Sequence, residues 1–144
     1  MRCLEIMRQW VQSVMEDDTV QTAAWLMRES DVGFIPVRDA GGTVIGVLTD
    51  RDIATRVCAS DDRASEITVG TVMTRGVVAC RPDDPVARAI QLMRRHRLTR
   101  ILITDALGAP VGVLSLSDVA QYERPARTGR TLQAVAERKY TPRP

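Results

Sequence analysis

The sequence predicts an α+β protein built from two β-α-β-β-α repeats packed about a pseudo-twofold axis. Three observations lead there. Sliding the chain by 66 positions aligns Cys3–Ala54 with Val69–Ala120 without a gap, and 18 of the 52 pairs are identical where chance would give about three. Both copies run through apolar patterns of helical and extended period in the same order. A unit of about 55 to 60 residues is marginal alone, so packing two copies together is the economical way to bury a core.

Each copy opens on a short β-branched run, Trp10–Val14 and then Val77–Cys80. Asp18 and Asp84 are expected to cap the helices that follow, with Pro85 at the first helical position of the second. Those helices carry one apolar face, Val20, Ala23, Ala24 and Met27, repeated as Val86, Ala89, Ile90 and Met93. Two apolar runs joined by a turn come next. They are Phe34–Val37 and Val44–Leu48 around Asp39-Ala40-Gly41-Gly42, and Ile101–Ile103 and Val111–Leu114 around Asp105-Ala106-Leu107-Gly108. A second helix closes each unit, Asp50–Cys58 and Ser117–Glu123. The repeats are bounded at residues 3–58 and 69–124, with Ala59–Thr68 as a polar connection. Residues 125–144 form a basic tail with a helix expected at Thr131–Arg138.

Composition narrows the function classes. The 144 residues are 44% apolar and 26% charged, which leaves no room for wholesale disorder. No run approaches the roughly 18 apolar residues of a membrane span, and no secretory signal is read at the start. Cys3, Cys58 and Cys80 are odd in number and lack ligand spacing, which argues against a disulfide framework or a metal site and favours a reducing cytoplasm. Lys139 is the only lysine among 20 basic residues, yet a net charge of +2 argues against a dedicated grip on nucleic acid.

The most informative segment lies where the last strand meets the last helix. Gly46-Val47-Leu48-Thr49-Asp50-Arg51-Asp52 and Gly112-Val113-Leu114-Ser115-Leu116-Ser117-Asp118 share the form G-h-h-[TS]-x-x-D. Two readings are open. A hydroxyl three residues before an aspartate is a helix capping box. The same hydroxyl can donate to a phosphate, while the aspartate accepts the two hydroxyls of a ribose.

The repeat, the run Ile35-Pro36-Val37 and the segment Gly46–Ile53 together resemble a tandem CBS-domain pair, the Bateman module named after cystathionine β-synthase. The resemblance covers Cys3 to about Tyr122. It implies the CBS fold and a regulatory cleft between the repeats for an adenosine-containing ligand such as AMP, ADP, ATP, NAD(H) or S-adenosylmethionine, with no cofactor required. It places ribose on Asp52 and Asp118, and phosphate on Thr49 and Ser115. Adenine would lie on the segments Val14–Glu16, Gly33–Pro36, Cys80–Pro82 and Thr99–Leu102, so that Gly33, Ile35, Pro36 and Ile101 are candidate contacts. Arg100 and Arg51 are candidates for phosphate, and Ser117 joins the second motif. Copy two has Thr99 and Leu102 where copy one has Gly33 and Pro36, and copy one is expected to hold the tighter ribose pocket.

Nothing assembles a catalytic set, so an enzyme is not expected. His96, the only histidine, sits among Arg94, Arg95 and Arg97. Asp17-Asp18 and Asp83-Asp84 are accounted for by helix starts. Two readings of different class stand side by side. One is an adenosyl-ligand sensor acting on an unknown effector protein in trans. The other is a ligand-free dimerisation module with a vestigial cleft. The resemblance further implies a homodimer.

Overall fold

The computed structural model describes residues 1–9 and 11–137. They form an α+β protein of two repeats, each a small sheet with helices, divided into two compact units.

The first unit comprises residues 10–77 and 105–111. Its elements are β1 (Val14–Met15), α1 (Val20–Ser30), β2 (Phe34–Arg38), β3 (Val44–Thr49), α2 (Asp50–Arg56), α3 (Val69–Val72) and β4 (Thr74–Arg75). The sheet order is β1-β2-β3-β4, with β1 parallel to β2 and the other pairs antiparallel. Alternation along β3 buries Val44, Gly46 and Leu48 on one side. Leu48, Ile35 and Val37 meet Val20, Ala23 and Met27 of α1 in the core. Each fully buried aliphatic side chain of this kind contributes about 1.5–3 kcal/mol. The turn at 105–111 seats on the same unit, where the Val44 N–H donates to the Gly108 carbonyl at 3.0 Å.

The second unit comprises residues 1–9, 78–104 and those from Gly112 on. A 3-10 turn (Cys3–Glu5) precedes β5 (Ala79–Cys80), α4 (Val86–His96), β6 (Arg100–Thr104), β7 (Pro110–Ser115), α5 (Leu116–Ala120) and α6 (Pro125–Ala136). The sheet order is β5-β6-β7, with β5 parallel to β6. α4 buries the face expected of it, Val86, Ala89, Ile90 and Met93. Cys3 and Cys80 are free and buried, at the positions where the first unit has Val69 and Val14.

In both units a leading segment belongs to the other copy of the repeat. Residues 67–75 pack on the first unit, where the Val20 N–H donates to the Ile67 carbonyl, Val69 to Asp18 and Gly70 to Glu16. Residues 1–8 repeat the pattern 66 positions earlier on the second unit: Val86 to Met1, Cys3 to Asp84, Leu4 to Pro82. Thr74 then pairs with Val47 on β3, as Arg8 pairs with Val113 on β7. The approach is close enough that a Cβ on Gly46 would stand 2.5 Å from the Thr74 carbonyl oxygen, and one on Gly112 2.7 Å from Met7 Sδ. This packing explains why Met7/Met73 and Gly46/Gly112 are identical between the copies.

Several element boundaries differ from expectation. The opening strands shrink to Val14–Met15 and Ala79–Cys80, because only those residues reach β2 and β6 (Trp10 lies outside the described residues). Thr19, not Asp18, caps α1 through the Thr22 N–H, while Asp18 accepts the Met15 N–H one step earlier. Pro85 is itself the capping position of α4, and Asp84 closes the matching turn on the Arg81 N–H. The closing helices are shorter, ending at Arg56 and Ala120. The last helix starts at Pro125 rather than Thr131, since a proline suits the first turn and Thr131 and Val135 bury one face; Arg138 and the residues after it lie outside the described ones.

The glycine contacts give a direct test. Gly46→Ala forces a β-carbon against backbone and is expected to cost about 1–3 kcal/mol by overpacking. Gly112→Ala meets chiefly the flexible end of Met7 and should cost less. Urea unfolding of the two variants reads the order.

Candidate functional site

The motif turns from strand to helix at the same place in both units. β3 ends on Thr49, still extended, and α2 begins at Asp50. The Asp52 N–H donates to the Thr49 hydroxyl at 3.1 Å, and the Thr49 N–H donates to Asp52 Oδ2 at 3.0 Å. In the second unit the Asp118 N–H donates to Ser115 Oγ at 3.1 Å and the Ser115 N–H to Asp118 Oδ2 at 2.9 Å. The Ser115 hydroxyl also contacts Asp118 Oδ2 and lies 2.8 Å from the Ser117 hydroxyl. Both copies therefore form a capping box, each worth about 1 kcal/mol.

A capping box uses one carboxylate oxygen and leaves the other to be satisfied. Both aspartates are only 7% exposed, and a charge so far from water needs partners. In the first unit the Thr74 hydroxyl faces both Asp52 oxygens at 3.4 Å, and an Arg56 nitrogen stands 3.8 Å from Oδ1. In the second unit Arg8 Nε donates to Asp118 Oδ1 at 3.3 Å. Burial pushes the Asp118 carboxyl up, but the hydrogen bonds from Ser115 and from Arg8 outweigh it and hold it below the ordinary carboxylate value.

The neighbouring strand completes each surroundings. Phe34 pairs with Thr49, and the Asp50 N–H donates to the Gly33 carbonyl at 3.1 Å, which brings Gly33 beside the motif. A Cβ on Gly33 would strike the Asp50 carboxylate, which accepts the Arg51 N–H at 2.8 Å. In the second unit the Leu116 N–H donates to the Thr99 carbonyl at 2.8 Å, setting exposed Arg100 next along β6. Arg51 and Ser117 are exposed in the first turns of α2 and α5. Pro36 is buried on β2, across from Val47. Ile35 and Ile101 are core residues, 0% and 1% exposed, so what they can offer a ligand is backbone rather than side chain.

Arg8, Thr74 and Arg56 were not among the residues expected from sequence. Arg8 and Thr74 occupy equivalent positions, each directly after the repeated methionine. That identity was the available signal, but it says nothing about which sheet the segment joins.

Comparisons place this geometry among known proteins. The family model described as CBS domain matches residues 4–58 and 69–124. The CBS domain-containing protein YhcV of Bacillus subtilis is 39% identical over 110 residues, 76% of each chain. The conserved CBS domain protein TA0289 from Thermoplasma acidophilum, of unknown function, superposes with a TM-score of 0.80 at 25% identity, over 95% of this chain and 77% of its own. The CBS domain pair of protein MJ0100, solved in complex with 5′-methylthioadenosine and S-adenosyl-L-methionine, shares the fold with a TM-score of 0.74 at 21% identity, over 84% of this chain and 94% of its own. Some larger relatives are enzymes, and the chain spans only 22–26% of their length. Among the described residues no helix is long and apolar enough to cross a membrane.

The Asp118 environment sets a pH dependence. A carboxyl held below its unfolded value, about 3.9, adds stability that is present above that value and is lost as the pH falls through the lower folded one. Asp118→Asn is expected to lower stability at pH 7 by on the order of 1–2 kcal/mol. The gap to the parent should close below about pH 4, as urea unfolding across that range would show.

Proposed function

Since the chain belongs to the CBS domain family and carries the domain twice, we propose that it is a regulatory module that binds an adenosine-containing ligand and acts on a partner protein in trans. The ligand classes are AMP, ADP, ATP, NAD(H) and S-adenosylmethionine. The observation that carries the reading is the second oxygen of each buried aspartate. A hydroxyl at 3.4 Å and an exposed arginine are partners that the vicinal hydroxyls of a ribose can replace, at a carboxylate the capping box already orients. The adenosyl ligands bound by the MJ0100 domain pair support the same class.

In this reading Asp52 and Asp118 hold ribose. Thr49 and Ser115, with Ser117, Arg51 and Arg100, turn towards phosphate or its replacement. Gly33, Pro36 and the backbone of Ile35 and Ile101 border the base. These are binding roles without turnover, with no metal or required cofactor, in a cytoplasmic homodimer. The capping boxes favour a second reading, because they account for both hydroxyls and one oxygen of each aspartate by folding alone. There the chain is a ligand-free dimerisation module.

A thermal-shift panel of AMP, ADP, ATP, NAD, NADH and S-adenosylmethionine, with GTP as control, separates the two. A ligand at 100 times its Kd stabilises by about 2.7 kcal/mol, several degrees for a chain of this size. We expect a shift with an adenosyl ligand that is reduced in Asp52→Ala. No shift across the panel would leave the dimerisation module. Light scattering should return twice the chain mass, and the monomer mass would remove the dimer.

A further inference from the structure

We infer that the two motifs select adenosyl ligands of different charge, and that residue 8 and its equivalent, residue 74, set the choice. The Asp118 motif takes a ligand bearing phosphate, and the Asp52 motif takes one whose 5′ substituent is uncharged or cationic. The inference rests on the ligand-binding reading above.

The two motifs share a backbone and differ in charge at equivalent positions. Around Asp118 stand Arg8, paired to it at 3.3 Å, and exposed Arg100, with neutral Leu116, Ser117 and Tyr122. Around Asp52 the same places hold Thr74, Phe34, Asp50, Arg51 and Arg56. The first set leaves one positive charge in surplus, whereas in the second the charges cancel.

Ligand entry acts on these sets differently. When ribose hydroxyls take Asp118 Oδ1, the Arg8 guanidinium loses its acceptor. Its side chain is 74% exposed, so the pair it gives up is screened and weak. A phosphate on the same ligand supplies a stronger, bidentate acceptor within the reach of a long side chain, and Arg100 adds a second cation. An uncharged nucleoside leaves both guanidinia with water alone. At Asp52 the partners that give way are the neutral Thr74 hydroxyl and the longer Arg56 contact at 3.8 Å, and Arg56 keeps its bonds to the Val72 and Met73 carbonyls, so no cation is left without an acceptor. The Asp50 carboxylate, seated over Gly33 and on the Arg51 N–H, opposes a phosphate and tolerates a cation.

Calorimetry of the full chain with AMP and adenosine as probes tests this. Asp52→Asn leaves the Asp118 motif intact, and Asp118→Asn leaves the Asp52 motif intact. In the Asp52→Asn background we expect AMP to bind about tenfold or more tighter than adenosine. Adding Arg8→Thr should bring that ratio towards one, and Arg8→Lys should keep it, a rescue that a purely structural role would not produce. In the Asp118→Asn background adenosine should bind at least as tightly as AMP, and Thr74→Arg should reverse the order. The Thr74→Arg arm gains a preference, so it decides the matter even if Arg8→Thr does not fold. An unchanged AMP-to-adenosine ratio in Arg8→Thr, or no gain in Thr74→Arg, overturns the inference while the adenosyl-binding function stands. Failure of the parent chain to bind either probe also overturns it, and the thermal-shift panel then shows whether the broader function falls too.

Discussion

At Gly46 and Gly112 a leading segment comes into the space a β-carbon would fill, through the Thr74 carbonyl at the first and chiefly the Met7 side chain at the second, and that contact governs what each aspartate can meet. The segments are held by paired N–H and carbonyl groups against β3 and β7, so their register is not adjustable. Once Met73 or Met7 is packed under the glycine, the next residue necessarily faces the carboxylate of the following helix. Thr74 and Arg8 reach Asp52 and Asp118 for this reason, and the sheet edge that would otherwise stand open is partly covered. A side chain at either glycine would act on the carboxylate through the strand, without touching it.

The capping box and the ligand reading share the motif hydroxyls but not the second oxygen of each aspartate. A helix of five or seven residues gains most from a fixed start, since it has few turns over which to recover the cost of nucleation. Thr49 and Ser115 supply that start with one oxygen of the aspartate. Because the box fixes the carboxylate's orientation through the fold, the other oxygen is presented in a set direction at no further entropic cost on binding. In the second unit Arg8 partners that oxygen until a ligand takes it, and in the first the Thr74 hydroxyl and Arg56 stand near it at longer range.

Much of this was legible in the residues. The 66-residue offset revealed the repeat, the glycine-bearing turns placed the hairpins, and α4 buried the very face its spacing described. The hydroxyl and aspartate of each motif were also legible, because their spacing carries the capping geometry. Cap positions slipped by one residue because Asp18 and Asp84 had a competing local use, closing a turn on Met15 and Arg81. Arg8 and Thr74 were hidden for a different reason. Nothing local says that a leading segment packs on the other copy's sheet, and a lone arginine does not name its carboxylate partner. Ile35 and Ile101 are buried core residues of their strands, so the sequence could name them without saying that backbone rather than side chain would face a ligand.

The exchange of leading segments also makes a symmetric duplication asymmetric in time. Thr74 is 22 residues from Asp52, but Arg8 is 110 residues from Asp118. As the chain leaves a ribosome at about 5–20 residues per second, residues 67–75 emerge after the strand they pair with. Residues 1–8 must instead wait for theirs on the order of ten seconds at that rate. During that interval Cys3 and Ile6, both buried in the finished fold, have no core to enter. The first unit draws most of its contacts from one stretch of chain, residues 10–77, whereas the second closes only by bringing residues 1–8 back across that stretch.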